Sequence, residues 1–203
     1  MLRRFIGLLV VLLPLVVWGQ NTYMEDMLEY RQEYKESLLN GKLGLKPEDT
    51  AYLRFFDIDP RYQVRAVFEP IGGRKPYPIQ TAYGGTRKAV SVYGYVYFNL
   101  MGASLKLYVL RFMASENIPG ASDQLFIAFT DRTNYRETFH GGRYLDLSIT
   151  DIKDNFVMLD FNRCYNPHTA YQKGYPYIIP PTENDLRIDI NAGEKIFGHN
   201  PGY

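Results

Sequence analysis

The chain has 203 residues, of which 46% are hydrophobic and 22% charged, and its formal net charge is +1. A charge so close to neutral gives no electrostatic reason to expect a nucleic acid or an anionic membrane surface as a partner. Cys164 is the only cysteine, which excludes an intramolecular disulfide, and His140, His168 and His199 are too far apart in the sequence for a usual zinc-ligand spacing. We therefore expect one core that folds without a covalent staple, with no metal and no cofactor.

The N-terminus has the composition of a secretory signal peptide. Arg3 and Arg4 form a basic start, residues 5–17 are almost entirely apolar, and a small residue follows at a plausible cleavage point. The apolar run is shorter than the roughly 20 residues that a membrane-spanning helix needs. We predict a signal peptide over residues 1–19 and a periplasmic or secreted protein with no stable membrane insertion after cleavage; an uncleaved anchor is the alternative. Residues 20–203 are predicted to form a single β-rich domain.

One amphipathic helix is predicted over about residues 22–40. Its large apolar side chains recur at spacings of four, three, four and four, which is the period of one helical face; they are Tyr23, Met27, Tyr30, Tyr34 and Leu38. Asn40 and Gly41 are typical of a helix end. Because a helix of this length is marginal in water by itself, we expect it to pack across the domain that follows. Residues 47–51 are predicted to add one further helical turn, which begins at a proline.

From Tyr52 onward the hydrophobic period changes to two, which predicts short β-strands separated by Gly, Pro, Asn and Asp. No helical pattern of similar length interrupts the series. The sequence therefore predicts a mainly β fold, either an antiparallel β-sandwich or a partly open barrel of about nine or ten short strands, with the N-terminal helix packed across it. The predicted strands are residues 52–57, 63–69, 76–80, 89–100, 103–112, 124–130, 135–139, 143–149, 155–161 and 186–191.

Two of these strands are predicted to form a hairpin with its turn at Met101 and Gly102. Alternation in its first strand predicts an aliphatic face and an aromatic face. The aliphatic face has Val90, Val92, Val96, Phe98 and Leu100. The aromatic face has Tyr93, Tyr95 and Tyr97. The run at residues 125–129 is apolar on both sides, which predicts a strand with a neighbour on each edge.

Polar residues concentrate at residues 143–148 and from Asp160 onward. Asp160 lies on the opposite face of its strand from the main apolar side, and Tyr144 and Asp146 lie on the corresponding face of an earlier strand. If the two strands neighbour one another, their polar sides form one surface. We take as candidate binding residues Arg143, Tyr144, Asp160, Asn162, Arg163, Asn166, Glu183 and Asn184. The alternative is that these side chains only pin long loops to the domain.

Guanidinium groups favour oxyanions, so a pocket built from these residues and tyrosines predicts an exported protein that binds a small polar or anionic ligand. One alternative is a hydrolase or lyase that uses Asp160 or Glu183 as general acid or base. Another is an envelope assembly or interaction protein that exposes tyrosines to a partner. Standard catalytic motifs such as Gly-x-Ser-x-Gly are missing from the sequence, so no activity is assigned. Cys164 is expected to be a small buried group, with a nucleophile served by His168 as the alternative.

Several stretches resemble successive blocks of one family. They read LFIAFTD at 125–131, ETFHGGRYLD at 137–146, LDFNRCYNP at 159–167, PPTENDL at 180–186 and NAGEK at 191–195. The chain resembles the bacterial domain of unknown function 1684 family from about Tyr30 to Lys195. The resemblance implies one domain in an exported or envelope-associated bacterial protein, and it implies no particular activity. Members often carry Cys near Thr169 and Tyr177 and Ala in place of Cys164, which argues against a catalytic cysteine here.

Overall fold

A computed structural model describes residues 16–41, 43, 45–72, 76–77, 82, 90–113 and 123–198. Residues 1–15 of the predicted signal peptide lie outside the described residues. The described chain has one α-helix, α1 (Val16–Asn40), and seven strands: β1 (Gln63–Pro70), β2 (Pro76–Tyr77), β3 (Val90–Leu100), β4 (Ala103–Phe112), β5 (Gln124–Phe129), β6 (Arg143–Ser148) and β7 (Phe156–Asp160). Several single turns of 3-10 helix connect them, among them Pro47–Tyr52, Phe161–Arg163 and His168–Ala170.

All seven strands belong to one antiparallel sheet. Its order is β6-β5-β4-β3-β1-β7, and β2 pairs with β3 beside this path. The sheet curls into a half-barrel, so its inner face encloses one core. This confirms the prediction of a mainly β, antiparallel fold with one N-terminal helix. A single curled sheet matches the partly open barrel of the two predicted architectures.

The core fills the inner side of the curled sheet. Alternate residues of β3, β4, β5 and β7 point inward, including Phe98, Leu107, Ile127 and Leu159. The C-terminal segment completes this core, since Ile190 and Ala192 are fully buried against it. Burial of aliphatic and aromatic side chains on this scale is the main stabilising contribution to such a domain. The chain after the last strand is therefore part of the core rather than a tail.

The β3–β4 hairpin forms as predicted, but a bulge changes its faces. Met101 and Gly102 both have positive φ, 49° and 82°, as a two-residue hairpin turn requires. The register shifts between Val92 and Gly94, so the alternation reverses at that point. Val92 consequently packs with Val90 in an outer cluster, and Tyr93 packs against the inner core. The predicted facing of these three residues was wrong, because a bulge cannot be read from alternation alone.

A second apolar cluster lies on the outer face of the sheet. Phe126 and Ala128 of β5 and Leu110 of β4 are buried there under Ile178, which belongs to the long segment after β7. The segment thus covers β4 and β5 from outside. The predicted strand at residues 125–129 is confirmed as β5, which has β4 on one edge and β6 on the other.

Helix α1 packs on the domain through the predicted face. Met27 and Leu38 are buried, and the hydroxyl groups of Tyr23, Tyr30 and Tyr34 donate hydrogen bonds to Asp160, Arg163 and Glu194, respectively. The helix begins at residue 16 rather than near residue 22. The predicted turn at residues 47–51 is confirmed as 3-10 helix.

Three predicted strands are wrong. Residues 52–57 make only an isolated bridge from Phe55 to Glu194, and residues 135–139 form turns with a bridge between Asn134 and Thr138. Residues 186–191 are irregular, although Ile190 is buried as an inward strand residue would be. Alternate side chains reach the core only in the last of these stretches, at Leu186, Ile188 and Ile190. In the first stretch the buried residues are Leu53 and Phe56, and in the second they are the adjacent Thr138 and Phe139, so the alternation in the sequence does not correspond to burial there. Residues 78–80 of the predicted strand 76–80 lie outside the described residues.

Candidate functional site

The residues predicted to form one site lie in separate places. Strands β6 and β7 are at opposite edges of the sheet, so the expected meeting of their polar sides does not occur. Arg143 points into the core, where its side chain is fully buried. Its guanidinium pairs with Asp131 at 2.8 Å and donates to the carbonyl groups of Ile190 and Ala192. Arg143 therefore fixes the C-terminal segment and reaches no pocket.

Asp160 and Asn162 anchor helix α1. The Tyr23 hydroxyl lies 3.0 and 2.9 Å from the two carboxylate oxygens of Asp160. Asn162 donates to Asp160 at 3.0 Å and exchanges two hydrogen bonds with the backbone of Asp59. Because these polar groups bond to one another, the arrangement is that of a structural clamp. A general acid or base at Asp160 has no support from this geometry.

The remaining predicted residues are also dispersed. Asn184 bridges the sheet from outside, accepting from the backbone N–H of Tyr108 at 2.7 Å and donating to the carbonyl group of Ala128 at 2.8 Å. Glu183 is exposed beside it. Asn166 donates to the carbonyl group of Lys195. Arg163 is exposed, with its guanidinium carbon 4.8 Å from the centre of the Tyr30 ring.

A cleft lies on the outer face of the sheet, between strands β5 and β6 and the segment 165–178. It consists of two adjoining pockets of about 420 Å³ each, and Asp146, Tyr165 and His168 line both. The walls of the first pocket are mostly rings and prolines, including Phe112, Phe126, Tyr144, Pro176 and Tyr177. Those of the second come mainly from helix α1 and the turn after it, and include Tyr30, Tyr34, Leu38 and Leu43. Of the eight predicted binding residues, only Tyr144 lines the cleft.

The aromatic walls of the first pocket form a continuous series. Phe112 and Phe126 stack with their ring centres 4.6 Å apart, and Phe126 meets Tyr144 edge to face at 6.4 Å. Tyr144 in turn meets Tyr165 edge to face at 5.9 Å. Such pairs hold one another in place and contribute about 0.5–1.5 kcal/mol each beyond the area they bury. The walls are therefore preorganised for a flat or apolar group.

One phenol holds the two sides of the first pocket together. The Tyr144 hydroxyl accepts from the backbone N–H of Ile178 and donates to the carbonyl group of the same residue, both at 2.8 Å. Its burial raises the pKa of Tyr144. The hydroxyl therefore stays protonated at physiological pH and can donate its hydrogen bond. This residue attaches the segment 165–178 to the sheet.

Asp146 supplies the charge of the cleft. It lies opposite Phe126 in the β5–β6 register, and its carboxylate accepts a hydrogen bond of 2.8 Å from the Tyr165 hydroxyl. The side chain opens into the cleft, but protein atoms surround it closely enough that desolvation raises its pKa, which the Tyr165 hydrogen bond partly opposes. A carboxylate in this setting is available to a ligand at the junction of the two pockets.

A buried carboxyl group lies behind the second pocket. Glu194 is fully buried and its Oε2 accepts from the hydroxyl groups of Tyr34 and Tyr171, at 3.1 and 2.6 Å, and from the backbone N–H of Asn166 at 2.8 Å. Desolvation raises the pKa of Glu194 to about 7, against these hydrogen bonds, which lower it. Glu194 thus joins helix α1, the wall of the cleft and the C-terminal segment.

Sequence reasoning missed Asp146 and Tyr165 as site residues, although it placed Asp146 on the polar side of β6. A usable signal was present, since a lone acid alternates with Tyr144 on a strand next to a Tyr- and Pro-rich segment. Cys164 is buried, as expected, and burial raises the pKa of its thiol, which makes a thiolate nucleophile unfavourable. His168 is exposed and lines the cleft.

Within the described ranges, no three His, Cys, Asp or Glu side chains come together as possible metal ligands. No helix in the part of the chain that the structure describes combines the length and the apolar character needed to cross a bilayer.

Comparison with known proteins identifies a family and similar solved structures. The family model described as "Protein of unknown function (DUF1684)" matches residues 49–195, in agreement with the resemblance seen in the sequence. The fold is similar to the solution NMR structure of an uncharacterised protein from Haloarcula marismortui (gene locus rrnAC0354), with a TM-score of 0.65 and 26% sequence identity. The alignment covers 87% of this chain and 96% of that one. A search of curated proteins found no match.

Proposed function

Because the chain belongs to the family described as protein of unknown function (DUF1684), whose description names no activity, we propose a function from the geometry of the cleft: the protein binds a small organic ligand there. The proposal depends on one observation above all. Asp146 is exposed, and its carboxylate opens into a concave site whose other walls are largely aromatic. Binding sites for small molecules combine these features, mostly apolar walls with a few polar groups that fix orientation.

The size of the cleft supports the proposal. Each pocket, at about 420 Å³, falls within the roughly 300–1,000 Å³ usual for small-molecule sites. The two pockets meet at Asp146, so a ligand of moderate length has one polar anchor near its middle. The fixed rings of the first pocket reduce the entropic cost of ordering the site on binding.

The structure changes the expected chemistry of the ligand. An anionic ligand was expected because Arg143 and Arg163 were placed in the pocket. Arg143 instead pairs with Asp131 inside the core, and Arg163 covers Tyr30. Among the described residues that line the cleft there is no lysine or arginine. The positions of the arginines therefore give no support for an oxyanion as ligand, whereas the argument for a polar ligand remains.

The interaction-protein alternative has weaker support than ligand binding. It requires a broad exposed aromatic patch, whereas on the outer face of the hairpin Tyr95 and Tyr108 are half-buried. Lys106 lies over this face, with its amino nitrogen 3.7 Å from the centre of the Tyr95 ring. Tyr97 is 36% exposed, and its neighbour in the register, Val67, is 47% exposed. The apolar surface here is thus small and partly covered by a charge.

The proposal is tested by screening small organic molecules for binding to the mature protein, with the shift in melting temperature as readout, since a ligand of the native state stabilises it by mass action. Hits are then measured on two variants. Gln124→Trp adds a large ring to the lining of the first pocket, and Gln63→Trp makes the same change on β1, away from the cleft. We expect Gln124→Trp to abolish binding and Gln63→Trp to retain it. A screen without hits, or hits that bind Gln124→Trp unchanged, would reject the proposal.

We also retain export as part of the proposal. Its support is the composition of residues 1–19. The first described contact of α1 with the domain is made by Tyr23, so cleavage after residue 19 leaves the packing of the helix in place. The mass of the protein recovered from the periplasm or medium should correspond to a chain that begins at Gln20. A chain that still begins at Met1 contradicts export by cleavage.

A further inference from the structure

We propose that the ligand of the cleft is an organic cation, in which an amine or ammonium group attached to an aromatic or apolar body lies beside Asp146. This inference rests on the proposed function, since it names the class of ligand for the same cleft.

The charge of the cleft is the first argument. Asp146 is the only acid among the described residues that line the two pockets, and no lysine or arginine lines them. Within the described chain Asp146 forms no ion pair; its partner is the neutral Tyr165 hydroxyl. A carboxylate that is accessible through the cleft and has no counter-ion is favourably placed to pair with a cation brought by the ligand.

The rings give the second argument. A cation is attracted to the face of an aromatic ring within about 6 Å of its centre. Phe126 lies opposite Asp146 in the strand register, Tyr165 bonds to it, and Tyr144 contacts both of these rings. An ammonium group beside the carboxylate is therefore within reach of several ring faces. An anion in the same position meets the quadrupoles of those rings and the charge of Asp146, and both repel it.

The protein already pairs cations with rings of this kind at the border of the cleft. The Arg163 guanidinium covers Tyr30, a residue of the second pocket, although Arg163 itself lines neither pocket. That contact occupies one ring of the second pocket. The Asp146 carboxylate, at the junction of the two pockets, therefore remains accessible to a ligand cation.

Three probes with one body and different charges test the inference. They are 2-phenylethylamine, a cation near neutral pH, 2-phenylethanol, which is neutral, and phenylacetate, an anion. Titration calorimetry on the mature protein should give the tightest binding for the amine, roughly tenfold tighter than the alcohol, with the acid weakest. The variant Asp146→Asn removes the charge, and Asp154→Asn removes one from an exposed turn as a matched control. Asp146→Asn should bring the amine to the affinity of the alcohol, and Asp154→Asn should change nothing.

The outcomes separate this inference from the proposed function. If the alcohol binds as tightly as the amine, or the acid binds most tightly, the cation is wrong while binding in the cleft stands. If the amine does not bind at all, the inference is also wrong, and the wider screen then decides whether the cleft binds other molecules. Preference for the amine that persists in Asp146→Asn places the cation elsewhere and overturns the assignment to this carboxylate. Circular dichroism of both variants checks that they are folded.

Discussion

Tyr165 donates a hydrogen bond of 2.8 Å to Asp146, and these two residues lie at the junction of the two pockets that form the cleft. They come from parts of the chain 19 positions apart. They are brought together by a short antiparallel bridge in which Tyr144 and Tyr165 exchange backbone hydrogen bonds of 2.9 and 3.0 Å. The bridge therefore fixes the position of the acid and of its donor at the same time.

The first prediction concerns this hydrogen bond. Tyr165→Phe removes the donor and keeps the ring, so the pKa of Asp146, which burial already raises, should rise further. The carbon-13 shift of the Asp146 carboxyl group, followed as pH is changed, measures it. Tyr135→Phe is the control, since Tyr135 is 75% exposed and away from the cleft. An Asp146 pKa that is equal in the two variants would show that the hydrogen bond does not form.

The second prediction concerns the buried ion pair. Arg143→Met leaves the charge of Asp131 unpaired inside the core, which should lower the free energy of unfolding by about 3–5 kcal/mol. Arg136→Met breaks a pair with Asp189 whose side chains are 61% and 47% exposed, so its effect should stay below about 1 kcal/mol. Urea unfolding of both variants gives the comparison. Equal losses would contradict the view that Arg143 is a structural residue of the core.

The third prediction is a pH dependence. In the folded protein the pKa of Glu194 is raised from 4.5 to about 7, so between these values the folded state binds more protons than the unfolded one. The free energy of unfolding should therefore decrease as pH rises through this window, by about 1.4 kcal/mol per pH unit from this one group. Glu194→Gln should remove that slope, which is obtained as the difference between the urea-unfolding curves of wild type and variant at each pH.

The control for the pH dependence is Glu29→Gln, which changes an exposed acid of helix α1. It should keep the wild-type slope. If Glu194→Gln also keeps it, Glu194 is ionised throughout the window and the effect of its burial is smaller than that of its three hydrogen bonds.

The fourth prediction concerns the packing of helix α1. Met27 is 1% exposed and its neighbour Leu28 is 58% exposed. Met27→Ala should lower the free energy of unfolding by about 2–5 kcal/mol because it leaves a cavity between the helix and the domain. Leu28→Ala should change the free energy of unfolding by less than about 0.5 kcal/mol, because Leu28 is mostly exposed and its truncation removes little buried area. Guanidinium unfolding measures both, and a similar effect of the two would mean that the helix does not pack through this face.

Much of the fold follows from local patterns in the sequence. In α1 the spacing of tyrosine and methionine follows from which side of the helix meets the core, and in β4 and β6 the alternation follows from which face does. The period of the apolar residues in the sequence therefore predicts these elements. The bulge in β3 does not follow, because Gly94 is required there by a close approach. A Cβ at this position lies 2.4 Å from the Phe68 ring, which belongs to another strand. Contacts between distant segments produce no periodic pattern of residues in the sequence.

The site was harder to predict than the fold for the same reason. Asp160 and Asp146 alternate in their strands in the same way, so alternation alone does not show which of the two carboxylates opens into a cleft. The structure does, since Tyr23 occupies the carboxylate of Asp160 while Asp146 opens into the cleft. Arg143 follows two glycines at the start of a strand and was expected to line a binding pocket. It is buried where Asp131 and two carbonyl groups accept hydrogen bonds from its two terminal nitrogens, a set of partners that only the tertiary fold assembles.

The burial of Ile190, Ala192 and Glu194 has a consequence for synthesis of the protein. Tyr34 and Glu194 are 160 positions apart, so helix α1 acquires this partner only when almost the whole chain has been made. Contacts of such long range close slowly, and until then the nascent chain lacks the residues that fill its interior. A ribosome that has reached residue 180 holds a polypeptide that is still unable to complete its fold. This delay is compatible with the proposed export, in which the chain would cross a translocation channel unfolded.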